Sequence, residues 1–318
     1  MKKNNEYIVF NGDADGLCSA NQFLLLNIGD IEIVTGVKRD IALLEKIITA
    51  KNSNITVFDI AVKNNLQPLK KLLDQNCKVQ WFDHHMSGDF QKHPNLKTNI
   101  DISPTVNTSY IVHKYIKEKF PLWAITGLFG DNLHKTAYEL AKNICLNNKR
   151  TVILKELGEL LNYNAYGSTI DDLYFDPAIL LKQMTDFADP FDFIENTSIL
   201  STLRKGQKED LNKAKTINPI KQNILILPDE KWSRRVIGIY ANLLVRENPD
   251  IAHAVMVKNN IEKYYVVSIR SPANSTKTAA EFCQKFPTGG GRAIAAGINK
   301  LPFDDLDNFI RKFCNFFD

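Results

Sequence analysis

Short apolar runs alternate with helix-compatible stretches through the first part of the 318-residue chain, and this alternation constrains the fold most strongly. Strand-length runs rich in β-branched or aromatic side chains lie at residues 7–10, 31–37, 55–60 and 78–82. The stretches between them, at residues 41–48 and 66–76, have a helical period. A repeated strand–helix–strand order predicts an α/β fold with a mainly parallel sheet flanked by helices.

The remaining chain divides into three parts. Residues 105–161 have a helical pattern, while residues 195–220 are polar, helix-compatible and closed by Pro219, which predicts a linker helix. A second α/β pattern begins near Lys221. We therefore predict an N-terminal domain at residues 1–194, a linker helix at 195–220 and a smaller C-terminal α/β domain at 221–318.

Composition limits the class of protein. A hydrophobic content of 44%, a charged content of 24% and a formal net charge of +4 fit a globular protein and do not indicate a nucleic-acid coat protein. The five cysteines are scattered without a CxxC pair, which disfavours a thiolate zinc site and fits a reducing compartment. The N-terminus lacks the features of a signal peptide, and no apolar run reaches the ~18–20 residues of a membrane helix. We therefore expect a cytoplasmic protein.

Acidic residues and histidines follow the apolar segments. They are Asp13 and Asp15 after the first run, Asp59 after the third, Asp83-His84-His85 after the fourth, and Asp131 after the apolar stretch 122–130. Because the carboxyl ends of parallel strands share one edge of a sheet, these side chains are predicted to converge.

A converging set of carboxylates predicts a metal site, because such a cluster is unfavourable unless cations bind it or some groups stay protonated. Carboxylate oxygens with an imidazole suit Mn²⁺ or Mg²⁺, and the nitrogen ligand favours Mn²⁺. Taken singly, Asp13-Ala14-Asp15-Gly16 also fits a solvated turn and Asp59 a helix cap. Their joint position at the ends of apolar segments favours the metal site.

The four segments NGDADG, VFDIAV, WFDHHMSG and LFGDN resemble, in this order, the N-terminal motifs of the DHH phosphoesterase superfamily. In the second half, VIGIYANLL and SIRSPANSTKTAAEFCQKFPTGGGRAIAAG resemble the glycine-rich C-terminal domain of its RecJ-like and nano-RNase branch. The motifs together span most of the chain.

The resemblance implies roles for the N-terminal motif residues. Asp59 would bridge two metal ions, Asp13 would bind one of them, and Asp15, His84 and Asp131 would bind the other. Asp83 would orient a metal-binding histidine, and His85 would face the substrate phosphate or the leaving group. The implied reaction is hydrolysis of a phosphate ester by a water that two Mn²⁺ ions activate, with Mg²⁺ as the alternative metal.

The glycine-rich segment is predicted to bind substrate. Consecutive glycines at Gly289, Gly290 and Gly291 let backbone N–H groups approach an anion, and Arg292 can pair with phosphate oxygens. A flexible hinge is the alternative, although the following Ala295-Ala296-Gly297 suggests a packed helix start and favours the anion site. Arg270, at the end of a predicted strand, is a further candidate, with a surface salt bridge as its alternative. Asn164 lies in a stretch that resembles a phosphate-binding segment of the RecJ branch, and an ordinary helix-ending turn explains it equally well.

Three positions depart from the family pattern. Val9 stands where many members carry a histidine that completes the first metal site, so that this site would be weaker or completed by Asn11 or water. Arg292 replaces a usual histidine and keeps a positive charge there. Ser168 stands where the RecJ branch usually has an arginine.

The resemblance and the size of the chain predict a Mn²⁺-dependent phosphodiesterase that acts on short oligonucleotides or a dinucleotide. A single-strand-specific, RecJ-like exonuclease is the alternative within the enzyme class, and a nucleotide-binding regulator with weakened turnover is the alternative outside it. A pyrophosphatase ranks lower, because that branch has a different second domain. We expect no membrane association and no stable protein partner, with a homodimer as the alternative.

Overall fold

The structure is a computed structural model that describes residues 5–26, 29–221 and 223–317. The chain forms two compact units, Met1–Arg204 and Lys205–Asp318. The predicted α/β class is confirmed, with a helix-flanked parallel sheet in the first unit and a second sheet in the C-terminal region. The predicted bounds at 194 and 220 stay a proposal. A helix that could cross a membrane is absent from the described residues.

The first sheet has five parallel strands in the order β2-β1-β3-β4-β5. The strands are β1 Glu6–Phe10, β2 Ile31–Val34, β3 Asn54–Phe58, β4 Lys78–Asp83 and β5 Leu96–Ile100. The first four match the predicted runs, and β5 was not predicted. All four pairings are parallel, with Glu6 beside Asn54 and Asn54 beside Lys78. The carboxyl ends of these strands therefore lie along one edge, as the argument for convergence requires.

Helices flank this sheet, and the last of them continues into the second unit. They are α1 Ala14–Leu24, α2 Leu66–Asp74, α3 Thr108–Tyr115, α4 Pro121–Gly130, α5 His134–Asn143, α6 Asn148–Asn164, α7 Pro177–Met184, α8 Pro190–Asn196 and α9 Ile199–Lys215. The helix expected at residues 41–48 is instead a 3-10 turn at Leu43–Ile47. Its period of three places Leu44 and Ile47 on the same side, and both are buried.

Both faces of the first sheet are buried, as expected of a parallel sheet. Val57 and Trp81 belong to one core cluster, and the Trp81 indole N–H donates to the carbonyl of Ile60 at 2.8 Å. The rings of Phe58 and Phe82, next along the strands, stack with centroids 5.3 Å apart. Alternate side chains thus anchor β3 and β4 from opposite faces, which holds the strand ends that carry Asp59 and Asp83 in fixed positions.

The second sheet has the order β6-β7-β8-β10-β9. Its strands are β6 Ile224–Leu227, β7 His253–Asn259, β8 Tyr264–Arg270, β9 Gly289–Arg292 and β10 Ala295–Pro302, and its helices are α10 Lys231–Glu247, α11 Ala279–Cys283 and α12 Leu306–Phe317. Only β6 and β7 pair in parallel; the other pairs are antiparallel. Phe282 is fully buried against Phe309 and Phe313 in the core of this unit.

The second half of α9 belongs to the C-terminal unit. The Arg235 guanidinium of α10 donates to both carboxylate oxygens of Asp210 in α9, at 2.7 and 3.1 Å, and both residues are buried. A bidentate pair of this kind fixes the orientation of both partners. The polar segment predicted as a linker therefore ends in a helix that is tied into the second unit.

Candidate metal centre

The loop between β1 and α1 places Asp13 at the N-cap of α1. Oδ1 of Asp13 accepts the backbone N–H groups of Asp15 and Gly16, both at 3.1 Å. Gly12 has to be glycine, because a Cβ there would lie 2.0 Å from the carbonyl oxygen of Gly36. This close approach brings the segment after β2 against the loop after β1, at the carboxyl edge of the sheet.

The N-terminus of α3 binds Asp15. The backbone N–H groups of Thr108 and Ser109 donate to Oδ2 and Oδ1 of Asp15 at 2.9 and 2.7 Å. Positive charge at a helix N-terminus favours the ionised carboxylate. Asp15 is 1% exposed, so this helix end compensates for part of the solvation that the carboxylate loses. The segment that begins α3 was not among the predicted site residues.

Asp59 has a left-handed backbone conformation, with φ at 57°. Such a conformation is uncommon outside glycine, and it concentrates at functional sites in proteins. The Thr108 hydroxyl donates to Oδ1 of Asp59 at 3.3 Å. The turn after β3 therefore directs the Asp59 carboxylate toward the same helix end that binds Asp15.

His84 lies at the centre of three carboxylates. Its Nε2 atom is 3.5 Å from Oδ1 of Asp59, 3.7 Å from Oδ2 of Asp131 and 3.8 Å from Oδ2 of Asp15. These distances are longer than hydrogen bonds and leave room for a cation among the four side chains. The structure thus brings together four of the five predicted metal ligands.

Asp131 reaches this group from a helix rather than from a strand. The apolar stretch that precedes it is α4, and Asp131 is the C-cap of that helix. This stretch lies within residues 105–161, for which a helical pattern was predicted, and its carboxylate joins those that follow the strands. The helix is fully buried from Trp123 to Gly130, which is why its composition resembles that of a buried strand.

A bound cation would supply Oδ2 of Asp131 with a partner. This oxygen is buried and has no hydrogen-bond partner among the described residues. A buried carboxylate oxygen without a partner is unfavourable, and a metal ion removes that cost. Ligand atoms of Asp15, His84 and Asp131 lie within 4.8 Å of one another, and so do those of Asp59, His84 and His85. Carboxylate oxygens with one imidazole suit a divalent cation of the Mg²⁺ or Mn²⁺ type.

The pKa values of the clustered carboxyl groups also indicate a cation site. Burial, together with the charges of Asp59 and Asp131, raises the pKa of Asp15 well above its usual range. Burial, together with the charges of Asp13 and Asp131, does the same to the pKa of Asp59. Burial and the charge of Asp13 also raise the pKa of Asp131. The cluster therefore holds protons that a divalent cation would displace.

Asp83 contacts His85 rather than His84. The two atoms Nδ1 of His85 and Oδ1 of Asp83 are 2.7 Å apart, and the Asp83 side chain is fully buried. The role given to Asp83, holding a metal-binding histidine, stays a prediction, because His85 belongs to one of the two groups of possible metal ligands. His85 is also the histidine that was expected to face substrate, and its side chain is 46% exposed.

Asp13 is absent from both ligand groups. Its Oδ2 atom pairs with the ammonium of Lys38, a residue that sequence reasoning missed. The signal was present, because Lys38 follows strand β2 and so lies at the same edge as the acids. Asn11, the residue considered as a replacement ligand, donates its Nδ2 to the Lys38 carbonyl and accepts the Asp13 N–H.

Asn164 has a structural role in this fold, and its predicted part in phosphate binding stays a prediction. The side chain is fully buried, donates to the carbonyl of Phe175 at 2.9 Å and accepts the N–H of Phe175 at 3.0 Å. It closes the turn after α6, the alternative considered from sequence. Ser168, downstream in the same turn, donates its N–H to Asp172 at 2.7 Å.

The three consecutive glycines Gly289, Gly290 and Gly291 form an extended edge strand, not a loop before a helix. Ala295, Ala296 and Gly297 belong to β10, which pairs antiparallel with β9, so the predicted helix start is wrong. A Cβ at Gly289 would lie 1.8 Å from the Cys283 carbonyl oxygen, and Gly291 has a φ of 142°. A Cβ at Gly290 would meet nothing within 4 Å. Packing and backbone geometry therefore explain two of the glycines.

The two candidate arginines differ in their surroundings. The Arg270 guanidinium donates to Asn242 of α10 and, at 3.0 and 2.9 Å, to Ser268 Oγ and the Ile269 carbonyl, so it is engaged within the unit. Arg292 is exposed at the end of β9, and the described residues offer its side chain no polar partner. Arg292 is the more accessible of the two for an anion.

Comparison by sequence gives no match: no family model and no curated protein matches this chain. Comparison by structure does. The exonuclease RecJ bound to manganese superposes with a TM-score of 0.60 at 14% identity, over 97% of this chain and 89% of that one. The pGpG-specific phosphodiesterase PggH from Vibrio cholerae gives 0.53 at 15% identity, over 96% and 97% of the two chains.

A third structure is an exopolyphosphatase-related protein from Bacteroides fragilis. It gives a TM-score of 0.52 at 12% identity, over 98% of this chain and 91% of that one. All three proteins are members of the DHH superfamily. At these identities the likeness establishes the fold, and the resemblance predicted from the sequence motifs is confirmed at that level. The chain has the fold of the DHH phosphoesterase superfamily.

Proposed function

We propose that the chain is a Mn²⁺-dependent phosphodiesterase of the DHH superfamily that hydrolyses short oligonucleotides or a dinucleotide. The observation that carries the proposal is the group of Asp15, Asp59 and Asp131 around Nε2 of His84, with a buried Asp131 oxygen that has no partner among the described residues. A divalent cation held there would polarise a phosphoryl oxygen and make water a better nucleophile.

The pair of Asp83 and His85 supplies the second element of the proposed site. We propose that Nδ1–H of His85 donates to Oδ1 of Asp83, which fixes the tautomer and leaves Nε2 for the substrate. The half-exposed ring can then meet a phosphate oxygen or the leaving group, while its orientation is held by a buried carboxylate. We therefore propose His85 as the catalytic histidine and Asp83 as the residue that positions it.

In the C-terminal unit, exposed Arg292 and edge strand β9 are the proposed anion-binding elements. An edge strand presents backbone N–H groups that no neighbouring strand pairs, and the open space at Gly290 lets an anion approach the backbone. Arg292 can fork onto a phosphate. For Arg270 we propose an indirect role, because its guanidinium already binds α10 and its own strand.

The likeness to PggH favours a short substrate. PggH is described as a pGpG-specific phosphodiesterase, and the superposition covers 96% of this chain and 97% of that one. We therefore place a dinucleotide or a short oligonucleotide before a long single strand as substrate.

A length series tests the proposal. Oligonucleotides of RNA and DNA from dimers upward, labelled at the 5′ or the 3′ end, are incubated with Mn²⁺, Mg²⁺ or EDTA. We expect Mn²⁺-dependent cleavage that is fastest for the shortest species, and no cleavage in EDTA. The matched controls are Asp59→Asn, which should be inactive, and Asp89→Asn, an exposed aspartate of the following loop, which should be fully active. Activity that falls steeply as oligomers shorten would support a RecJ-like exonuclease instead, and absence of turnover with bound Mn²⁺ would support a regulator.

A further inference from the structure

Lys38 is fixed in the metal centre by contacts at both ends of the residue. Its backbone N–H donates to the carbonyl of Ala165 at 3.0 Å, and its carbonyl accepts Nδ2 of Asn11 at 3.0 Å. The ammonium group contacts Oδ2 of Asp13 and donates to Oδ1 of Asn162 at 3.1 Å. Contacts with two separate segments of the chain, the loop after β1 and the end of α6, make this position specific rather than that of a loosely held surface lysine.

The ammonium of Lys38 contacts the carboxylate oxygen of Asp13 that does not cap α1. Oδ1 of that carboxylate already caps α1 through two backbone N–H groups, and Oδ2 is the atom that Lys38 contacts. The Asp13 side chain is only 4% exposed. The ammonium therefore lies where a metal ion would have to bind Asp13.

The charge of Lys38 acts on the cluster as that of a cation would. Although burial raises the pKa of Asp13, the charge and hydrogen bond of Lys38 bring it below its usual value. Lys38 also counteracts the effect of burial and neighbouring charges on the pKa of Asp59 and of Asp131. One ammonium thus stabilises three of the carboxylates that face the centre.

The other ligands that a metal ion beside Asp13 would need are lacking. The position where the resemblance places a histidine is Val9, which is fully buried in the core cluster together with Val34 and Val57. The amide of Asn11 is engaged on both sides, by the Lys38 carbonyl and by the Asp13 N–H. Around the other position, in contrast, Nε2 of His84 has carboxylate oxygens of Asp15, Asp59 and Asp131 at 3.8, 3.5 and 3.7 Å. The ligand atoms of Asp15, His84 and Asp131 lie within 4.8 Å of one another.

We propose that Lys38 replaces one of the two metal ions: the chain binds a single divalent cation, through Asp15, Asp59, Asp131 and His84, and the Lys38 ammonium is the second positive charge of the site. This inference rests on the proposed function and revises the two-ion prediction. The Lys38 ammonium has three N–H donors and two described acceptors, Asp13 and Asn162, so that its third N–H can donate to a phosphoryl oxygen of the substrate. A tethered ammonium gives the substrate charge stabilisation that a chelator cannot remove.

Metal counting tests this inference separately from the proposed function. Mn²⁺ bound per chain is measured by titration calorimetry and by elemental analysis of gel-filtered protein. We expect one Mn²⁺ per wild-type chain. Two per chain would overturn the role of Lys38 and leave the phosphodiesterase proposal standing, whereas no bound Mn²⁺ would overturn both.

Two variants separate a cationic role from a structural one. Lys38→Met removes the charge at similar length, and Lys38→Arg retains it. We expect Lys38→Met to lose ~100-fold or more in kcat while binding Mn²⁺ at least as tightly as the wild type, because a repelling charge is gone. Lys38→Arg should still bind one Mn²⁺ and should keep most of the wild-type activity. Weaker Mn²⁺ binding by Lys38→Met, or a kcat within about threefold of the wild type, would overturn the proposal. Thermal melts in Mn²⁺ check that both variants are folded.

Discussion

Nδ1 of His85 lies 2.7 Å from Oδ1 of Asp83, and the second oxygen of that fully buried carboxylate has no hydrogen-bond partner among the described residues. A buried carboxylate whose one described hydrogen-bond partner is a half-exposed imidazole holds that ring strongly. We therefore propose that the triplet Asp83-His84-His85 separates into an orienting pair, Asp83 with His85, and a metal-facing residue, His84.

Asp83→Asn tests this division. The amide cannot accept as strongly from His85, so we expect kcat to fall ~10–100-fold. The Mn²⁺ affinity should stay within about threefold of the wild type, because the ligand group around His84 is untouched. Steady-state kinetics and calorimetry measure the two quantities. A parallel loss of Mn²⁺ affinity would mean that Asp83 supports the metal ligands instead.

Asp59→Asn removes one charge from the centre and keeps the shape of the side chain. Asparagine tolerates the left-handed backbone at this position, so the fold should be retained. We expect kcat/KM to fall by ~10³-fold or more, since a metal ligand is lost. In EDTA the melting temperature should be equal or higher, because the amide removes the cost of burying a carboxyl group beside Asp13 and Asp131, the cost that raises the pKa of Asp59. Near-normal turnover would show that the proposed centre is not the site of hydrolysis.

Metal binding should depend on pH. The pKa of Asp15 and of Asp59 is raised by burial and neighbouring carboxylates, so in the folded metal-free chain these groups keep protons that the unfolded chain releases. Their contribution to the stability of the metal-free fold is therefore present at low pH and is lost as pH rises through the folded pKa. Mn²⁺ takes the place of the protons, so its stabilising effect should grow with pH. Melting curves with and without Mn²⁺ at several pH values measure this. Calorimetry in buffers of different ionisation enthalpy should detect proton release.

Arg292→Ala should raise KM more than it lowers kcat. The exposed guanidinium is proposed to bind a phosphate in the ground state and the transition state alike, and loss of such an interaction changes KM. We expect the KM for a dinucleotide to rise ~10-fold in Arg292→Ala. The KM of Arg292→Lys should lie between that of the wild type and that of Arg292→Ala. A loss confined to kcat would place Arg292 at the reacting phosphate.

The burial of His113 predicts how the stability of the fold depends on pH. It is fully buried in α3, neither ring nitrogen has a hydrogen-bond partner among the described residues, and burial lowers its pKa to about 4. The unfolded chain takes up a proton near the usual pKa of 6.5, so stability is full above that value and falls as pH decreases toward 4. The loss is up to about 3 kcal/mol.

His113→Leu should flatten that pH dependence. Urea unfolding at pH 7 and at pH 4.5 measures it, with His93→Gln, a partly exposed histidine of another segment, as the control. An unchanged difference between the two pH values in His113→Leu would assign the acid sensitivity to other groups.

The first sheet could be predicted because its central strands are buried on both faces and so consist of continuous apolar residues. Strand β5, Leu96–Ile100, was missed because it lies at the edge, where LKTNI carries polar side chains. In the second unit, Ala295-Ala296-Gly297 was read as a helix start although it is a strand. Small residues are compatible with both, and here they let β9 and β10 approach closely.

Convergence of Asp15, Asp59 and His84 was predictable from strand order alone. Lys38 obeys the same rule and was overlooked because only acids and histidines were considered at the strand ends. The backbone N–H groups of Thr108 and Ser109, which bind Asp15, have no side-chain signature. The one local signal is Asn107, whose side chain caps α3. Contacts made by backbone atoms from a distant segment depend on tertiary packing, which a single sequence does not display.

The unoccupied space beside Gly290 allows a fluorescent probe to be attached there. Gly290→Cys would place a thiol on an edge strand, in space that no described atom occupies and two residues from Arg292. The exposed Cys145 and the partly exposed Cys314 would be replaced by serine. The new thiol would then react preferentially, because Cys18, Cys77 and Cys283 are buried. A fluorophore attached there would report nucleotide arrival at the proposed anion site in real time.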